Sequence, residues 1–465
     1  MEALSSIVAN ISGFIWGPWI IGFLVGTGIF LSIRLKFLQF SHLGYALKLA
    51  FNRKVKPAEV GDISHFGALM TALAATVGTG NIVGVATAVI YGGPGAVFWM
   101  WVTAIFGMAT KYGEAVLAIK YRITDKSGNM AGGPMYFLER GLNLKWLGIL
   151  FAFFGVMASF GIGNMTQSNS VAGNVMGTFH LVPWATGIIL AVLTAVVILG
   201  GVKSIANAAS VIVPLMAVFY VFVGLIIIVM NLNLLPAALS AIFTHAFTME
   251  AGIGGLLGTT IRMGVARGVF SNEAGLGSAP IAAAAAKTDH PCRQALVSMT
   301  GTFLDTIIVC SINGILLVMA GLSNKVNFGE LGKIADTTSG YAATLTSESF
   351  NMFLPRFGGL VVTVSLIFFA YSTILGWSYY GERCLYYLTE SKLASLVYRV
   401  LFAFFVYIGA VVQLNLAWDI SDIFNGAMAI PNLVGLLGLS GVIVSQTKDF
   451  FTRFYNPEMA AKKRR

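Results

Sequence analysis

The sequence predicts an all-α integral membrane protein with about eleven transmembrane helices. Three observations carry that expectation. The 465-residue chain is 57% hydrophobic and only 10% charged, with a mean hydropathy of +0.81, whereas soluble domains carry about 25% charged residues. Charge-free stretches of about 18 residues or more, long enough to span a bilayer, recur along it; the 48 residues from Ile63 to Thr110 lack Asp, Glu, Lys and Arg altogether. Lysine and arginine are also sorted between alternate loops, as positive-inside topology requires.

Taken in order, the first predicted span is 12–33. It is long for a signal-peptide core, no basic residue precedes it, and no small-residue cleavage site follows, so it reads as a mature helix. Further spans follow at 65–91, 95–120, 146–176, 184–200, 208–231, 252–286, 294–321, 357–380, 396–414 and 424–446, separated by Gly, Pro, Asn and charged clusters. The loops after the odd-numbered spans, with the tail, hold 21 of the 29 basic residues, or 24 with Lys111, Lys120 and Arg399 in the adjoining spans, which places the N-terminus outside and the C-terminus in the cytoplasm. Residues 133–142, "GPMYFLERGL", read as a short amphipathic cytoplasmic helix lying at the interface.

The net charge of +10 follows loop sidedness and does not cluster as a nucleic-acid surface would. Cys292, Cys310 and Cys384 are scattered and odd in number, suggesting neither a disulfide framework nor a zinc site. No G-x-S-x-G, H-E-x-x-H or Walker motif occurs, so no hydrolase, zinc protease or ATP-driven pump is indicated. Ser271 and His290 stand too far apart along the chain to serve as a nucleophile–base pair, and no repeated filter loop or charged ring suggests a channel.

Two spans contain breaks. "AATVGTGNIVG" at 74–84 places Gly78, Gly80, Thr76, Thr79 and Asn81 halfway along the second span, and "GVARGVFSNEAGLGSAP" at 264–280 interrupts the seventh. Irregular backbone at membrane depth persists only where protein or a polar cavity supplies partners, and paired breaks in two halves point to a transporter binding site. A five-span offset makes the second half inverted relative to the first. The expected division is an extra helix at 1–34, a basic loop at 35–64, five-helix halves at 65–231 and 232–446, and a basic tail at 447–465. Close packing of small residues is the alternative reading of the first break taken alone.

"GGPGAVFWMWVTAIFG" at 92–107, "DISHFGALMTALAATVGTGNIVGVA", "MAGGPMYFLERGL", "GVFSNEAGLGSAPIAAAAAKTDHP" and "NGAMAIPNLVGLL" together resemble the alanine or glycine:cation symporter family over essentially the whole chain. That resemblance implies the leucine-transporter fold of the amino acid–polyamine–cation superfamily, a 5+5 inverted repeat here preceded by one extra helix. It also implies sodium-coupled uptake of alanine or glycine by alternating access across a prokaryotic cytoplasmic membrane. Sodium would be the coupling ion, with no organic cofactor and no enzymatic activity, and the partners would be a small neutral amino acid and membrane lipid, with no nucleic acid.

By the same resemblance the substrate carboxylate docks at Thr79 and Gly80. Gln167, in the polar stretch 161–170, supplies an amide. Phe270, Ser271 and Gly275 line the second break, and Trp377 walls the pocket. The carbonyls of Ala74, Val77 and Ala370 and the hydroxyls of Ser372 and Thr373 form an oxygen cage suited to a hard cation, unless those hydroxyls only back-bond to their own helix. The resemblance also offers Thr76 and Asn81 as sodium or polar-network residues. Glu273, an ionisable group within a span, either forms an internal salt bridge with Arg267 that holds the unwound segment or serves as a cation-coupling or gating carboxylate. Glu273 or Asp305 would be the titrating group of a proton-coupled carrier of the same fold.

Overall fold

The computed structural model describes residues 2–52, 60–247, 255–323, 341–412 and 415–456. They are almost wholly helical, joined by one short hairpin of Ile123–Thr124 with Met130–Ala131. The main helices are α1 (Asn10–Arg34), α2 (His65–Thr76), α3 (Gly80–Gly92), α4 (Gly95–Lys120), α5 (Pro134–Leu142), α6 (Lys145–Phe179), α7 (Pro183–Ile198) and α8 (Gly201–Met230). They continue with α9 (Leu235–His245), α10 (Gly255–Asn272), α11 (Ala279–Ala284), α12 (Pro291–Leu322), α13 (Tyr341–Phe353), α14 (Gly358–Thr389), α15 (Lys392–Val411), α16 (Asn415–Gly438) and α17 (Ser440–Phe450).

Among the described residues eight helices are long and apolar enough to cross a membrane, and α2 with α3, bent by 54° at their junction, make a ninth. Two of the predicted spans differ in kind. Span 184–200 is α7, whose 16 residues reach about 24 Å at helical rise, short of a hydrocarbon core of about 30 Å. Span 252–286 is the pair α10 and α11, parted by the non-helical residues 273–278, and its first three residues lie outside the described ones. The expected loop 322–356 contains α13, with 324–340 outside the described residues.

Charges that ended a predicted span do not end the helix when protein pairs them. Span 357–380 becomes α14, which runs on to Thr389. Buried Glu382 accepts from Arg399 Nη2 at 2.7 Å and from Arg383 Nη2 at 3.3 Å, and Arg383 Nη1 reaches Asp125 at 3.0 Å. The amphipathic segment 133–142 is α5, but its place differs from the expected one. Met135, Tyr136, Phe137 and Leu138 are all buried, and Gly435 of α16 has no room for a side chain because the Phe137 ring fills that space. Its apolar face is spent on protein contacts.

The outward faces of α7, α8 and α15 expose Val196, Val211, Val218 and Val400, an arrangement that only an apolar solvent favours. The interior packs through small residues, as membrane helices do. A Cβ on Gly376 of α14 would lie 2.7 Å from Ala75 of α2, so these helices meet backbone to backbone.

At one end of the bundle two segments are stitched together. Asp62 and Ile63 donate their amides to the Ala285 carbonyl at 2.8 and 3.2 Å, Lys287 N donates to Ile63 O at 2.7 Å, and Thr288 N to Val60 O at 3.2 Å. Arg122, just past α4, donates to the carbonyls of Ala284, Ala286 and Val60 at 2.7–2.9 Å. Gly61 admits this approach, since any Cβ there would strike the Ala286–Lys287 backbone. The stitch joins the segment leading into α2 to the one leaving α11, the two broken helices.

Candidate functional site

Glycine at 78 and 80 and a competing side chain at 81 open the first break. In a continuous helix the Gly78 amide would bond the Ala74 carbonyl; instead it donates to Asn81 Oδ1 at 2.9 Å. Val77 leaves helical geometry at ψ 89°, and α3 begins with a wide π turn over Gly80–Gly84. The carbonyls this turn frees are met from α12, where Asn313 Nδ2 donates to Asn81 O at 2.8 Å and Ile82 O at 3.2 Å. That satisfies the requirement for paired backbone in lipid.

The Val77 carbonyl points at α14. Ser372 Oγ and Thr373 Oγ1 each stand 3.5 Å from it, and both also back-bond to Phe369 O, at 2.8 and 3.1 Å. Three of the five expected cation ligands thus converge, and the donor set is oxygen only, as sodium prefers. Ala74 and Ala370 are buried beside them. Their carbonyls are not seen in contact with this cluster; that of Ala74 has lost its regular helical donor to Asn81.

Beside this cluster lies a small cavity lined by Ala75, Thr76, Gly78, Gly80, Ile162, Gln167, Phe270, Glu273, Thr373, Trp377 and Asn425. Gln167 is fixed at both ends, donating to Ile162 O at 3.0 Å and accepting from Thr79 N at 3.3 Å. The Thr79 hydroxyl is buried and lacks a partner among the described residues, as does Asn425 Oδ1. Asn425 is in the cavity lining and offers a polar atom that a ligand there would satisfy, whereas Thr79 stands behind the lining. Gly80 is where the breaks touch: a Cβ there would lie 3.2 Å from both the Phe270 ring and the Ser271 backbone.

Span four contributes a third irregularity, a π turn over Gly161–Met165. Gly163 has no room for a side chain because Trp377 occupies the space, which seats the indole against the cavity. Of the other polar residues there, Asn164 donates to Phe402 O at 2.7 Å and Asn169 to Gly409 O at 3.1 Å, tying α6 to α15.

Several expected residues stand elsewhere. Glu273 and Arg267 form no salt bridge. Glu273, in the left-handed region at φ 56°, accepts from Trp377 Nε1 at 2.9 Å and from Ser278 Oγ at 2.5 Å, while Arg267 lies over the Phe270 ring at 5.6 Å. The αL turn after α10 carries the carboxylate away from the arginine and into the cavity wall. Gly275 does not line the cavity: at φ 93°, its amide donates to Glu114 Oε1 at 3.0 Å, which also takes Gly277 N at 3.2 Å and Asn432 Nδ2 at 2.7 Å. A break exposes its backbone in several directions, and here a carboxylate on α4 takes this one.

Ser271 and Asn81 also turn from the cavity, toward Asp305. Its carboxylate accepts from Asn81 Nδ2 at 2.7 Å, Ser271 Oγ at 2.8 Å and Thr306 Oγ1 at 2.7 Å. Asp305 sits on the π turn Phe303–Cys310 of α12 and joins both breaks through side chains. Ile162 and Asn425 went unnoticed in the sequence; Asn425 carried a signal, an amide inside a span.

Two broken membrane helices meeting at a buried polar cavity define a membrane transporter architecture, and the solved structure of MhsT in complex with L-phenylalanine shares the fold. It superposes with a TM-score of 0.57 at 14% identity, covering 83% of this chain and 98% of that one. The model of the sodium:alanine symporter family matches residues 1–463, and the chain belongs to that family. It is 60% identical to the sodium/alanine symporter AgcS of Methanococcus maripaludis over 96% of this chain and 97% of the relative. It is also 36% identical to the amino-acid carrier protein AlsT of Bacillus subtilis, over 97% and 93% respectively.

Proposed function

We propose that this transporter imports alanine and glycine with sodium, by alternating access, through eleven spans arranged as inverted five-helix halves after one extra helix, with the N-terminus outside. The observation that carries the reading is the convergence of Val77 O, Ser372 and Thr373 directly against the Gln167–Gly80 cavity. A cation bound by those oxygens would brace the unwound residues whose amides hold the substrate carboxylate, so occupancy of one site would favour the other. The small cavity, closed by Trp377 and Phe270, suits a side chain no larger than methyl. The name of the 60%-identical relative supports alanine as substrate. Each residue's part is to bind, orient or exclude: Gly80 offers its amide, Thr79 would exchange the Gln167 Oε1 that its amide now meets for the substrate carboxylate, and Trp377 limits size.

The test is uptake of labelled alanine by purified protein in liposomes, with sodium replaced by choline at constant pH, and separately with an imposed proton gradient. Uptake driven by sodium alone is expected; uptake that follows the proton gradient and ignores choline replacement would overturn sodium coupling. Within that assay Thr373→Ala is expected to raise the half-saturating sodium concentration about tenfold, in line with about 1–2 kcal/mol for a hydrogen-bond-scale ligand to a charged group. Alanine affinity at saturating sodium should stay within threefold of wild type. An unchanged sodium requirement removes Thr373 from the cation site.

A further inference from the structure

Lys111 is deep in α4, 4% exposed, and its ammonium has no hydrogen-bond partner among the described residues. An ionised group in that position ordinarily finds a partner or serves a pathway. It lies in the wall of a second small cavity with Ala72, Leu73, Thr76, Asn272 and Ser298. Thr76 lines both this cavity and the one beside Gly80, so the two adjoin at that residue. Ala72 and Leu73 lie one turn before Thr76, toward the start of α2, and α4 runs from Lys111 toward Arg122, which binds the Val60 carbonyl. The second cavity therefore lies between the first cavity and the stitched end of the bundle.

The charges around Lys111 are arranged for a dipolar visitor. Glu114, Glu273 and Asp305 act on it through space, yet both oxygens of Glu273 and both of Asp305 are already bonded to other donors. Its three N–H donors are unspent, and Glu114 Oε2, three residues on, is the one buried carboxylate oxygen among these three side chains that also lacks a partner among the described residues. Glu273 lines the first cavity and Lys111 the second. A zwitterion passing Thr76 would hold its ammonium toward the carboxylate behind it and present its own carboxylate to the lysine ahead.

We propose that Lys111, with Thr76, Asn272 and Ser298, forms a transit site for the carboxylate of the amino acid on its way between the Gly80 amides and the stitched end. The proposal rests on the alanine-transport reading above. The site receives the carboxylate as it leaves the break amides and lowers the cost of stripping a charged group from them in a dry passage. It is a binding site for a carboxylate in transit: the resting substrate shares only Thr76 with it and does not reach Lys111.

The experiment compares wild type with Lys111→Gln, Lys111→Arg and the double variant Lys111→Gln/Glu114→Gln, using labelled L-alanine. Calorimetry in detergent at saturating sodium reads the resting site; uptake and efflux from liposomes of known orientation read each face. Lys111→Gln is expected to leave resting affinity within twofold and to raise the KM at the stitched face tenfold or more. Lys111→Arg should stay within threefold on both faces. Equal losses on both faces, no change at the stitched face, or full rescue by the double variant would overturn the proposal, the last by making Lys111 a counter-charge for Glu114. Replacing chloride by gluconate separates a free anion: chloride dependence lost in Lys111→Gln would assign the site to inorganic anion and overturn substrate transit. Wild-type protein that fails to take up alanine with sodium would instead count against the underlying reading.

Discussion

Gly78→Ala is expected to abolish sodium-dependent alanine binding in a protein that still inserts and folds. The added methyl would fall on the Thr373 hydroxyl and stand 3.3 Å from Gln167 Oε1, so one carbon intrudes on the cation ligands and on the amide that orients Thr79. Overpacking of this kind costs about 1–3 kcal/mol, and it is concentrated where both ligands bind. Gly173→Ala is the control: it lies on the same α6 that carries Gln167, and its Cβ would meet nothing within 4 Å. Calorimetry against alanine, with and without sodium, should show no heat for the first variant and a wild-type isotherm for the second. Normal binding by Gly78→Ala would move the site away from this break.

Asp305→Ala should have the second-largest effect. The carboxylate collects Asn81, Ser271 and Thr306, and hydrogen bonds to a charged group are worth about 1.5–3 kcal/mol each. Removing it leaves Asn81 Nδ2 and Ser271 Oγ sharing the weak acceptor Cys310 Sγ at 3.2 Å, and a buried donor without a full partner costs about 1–3 kcal/mol. Alanine affinity is expected to fall at least a hundredfold and the melting temperature to drop with it. Asp305→Asn keeps an acceptor for Asn81 and should recover part of the thermal stability. If Asp305→Ala melts and binds like wild type, the aspartate does not tie the breaks together.

The chain's helical, membrane-embedded nature was legible because lipid leaves few alternatives: apolar runs must be helices, and glycine with polar residues inside one marks a place where the backbone is used. The first break was readable for that reason. The direction in which an opened segment faces was not. Gly275 and Ser271 belong to the second break, yet Glu114 and Asp305 draw them from the cavity, because partners distant in sequence compete for the same backbone and hydroxyls. The Arg267–Glu273 pairing failed for a local reason, a left-handed residue that reverses the side chain's direction. The π turn at Gly161–Met165 exists to seat Trp377, a contact between spans five apart that no local pattern encodes.

The stitched end has a consequence in isotope exchange. The amides of Asp62, Ile63, Lys287 and Thr288 each close on a carbonyl across the seam, and an amide held in a hydrogen bond exchanges with solvent deuterium only when that bond opens. If the two broken helices part here to let solute through, these four positions would take up deuterium together, at a rate set by how often the seam opens. Sodium and alanine, added separately and together, would then change the pace of labelling at four named residues far from either ligand, and the molecule would keep its own record of each excursion.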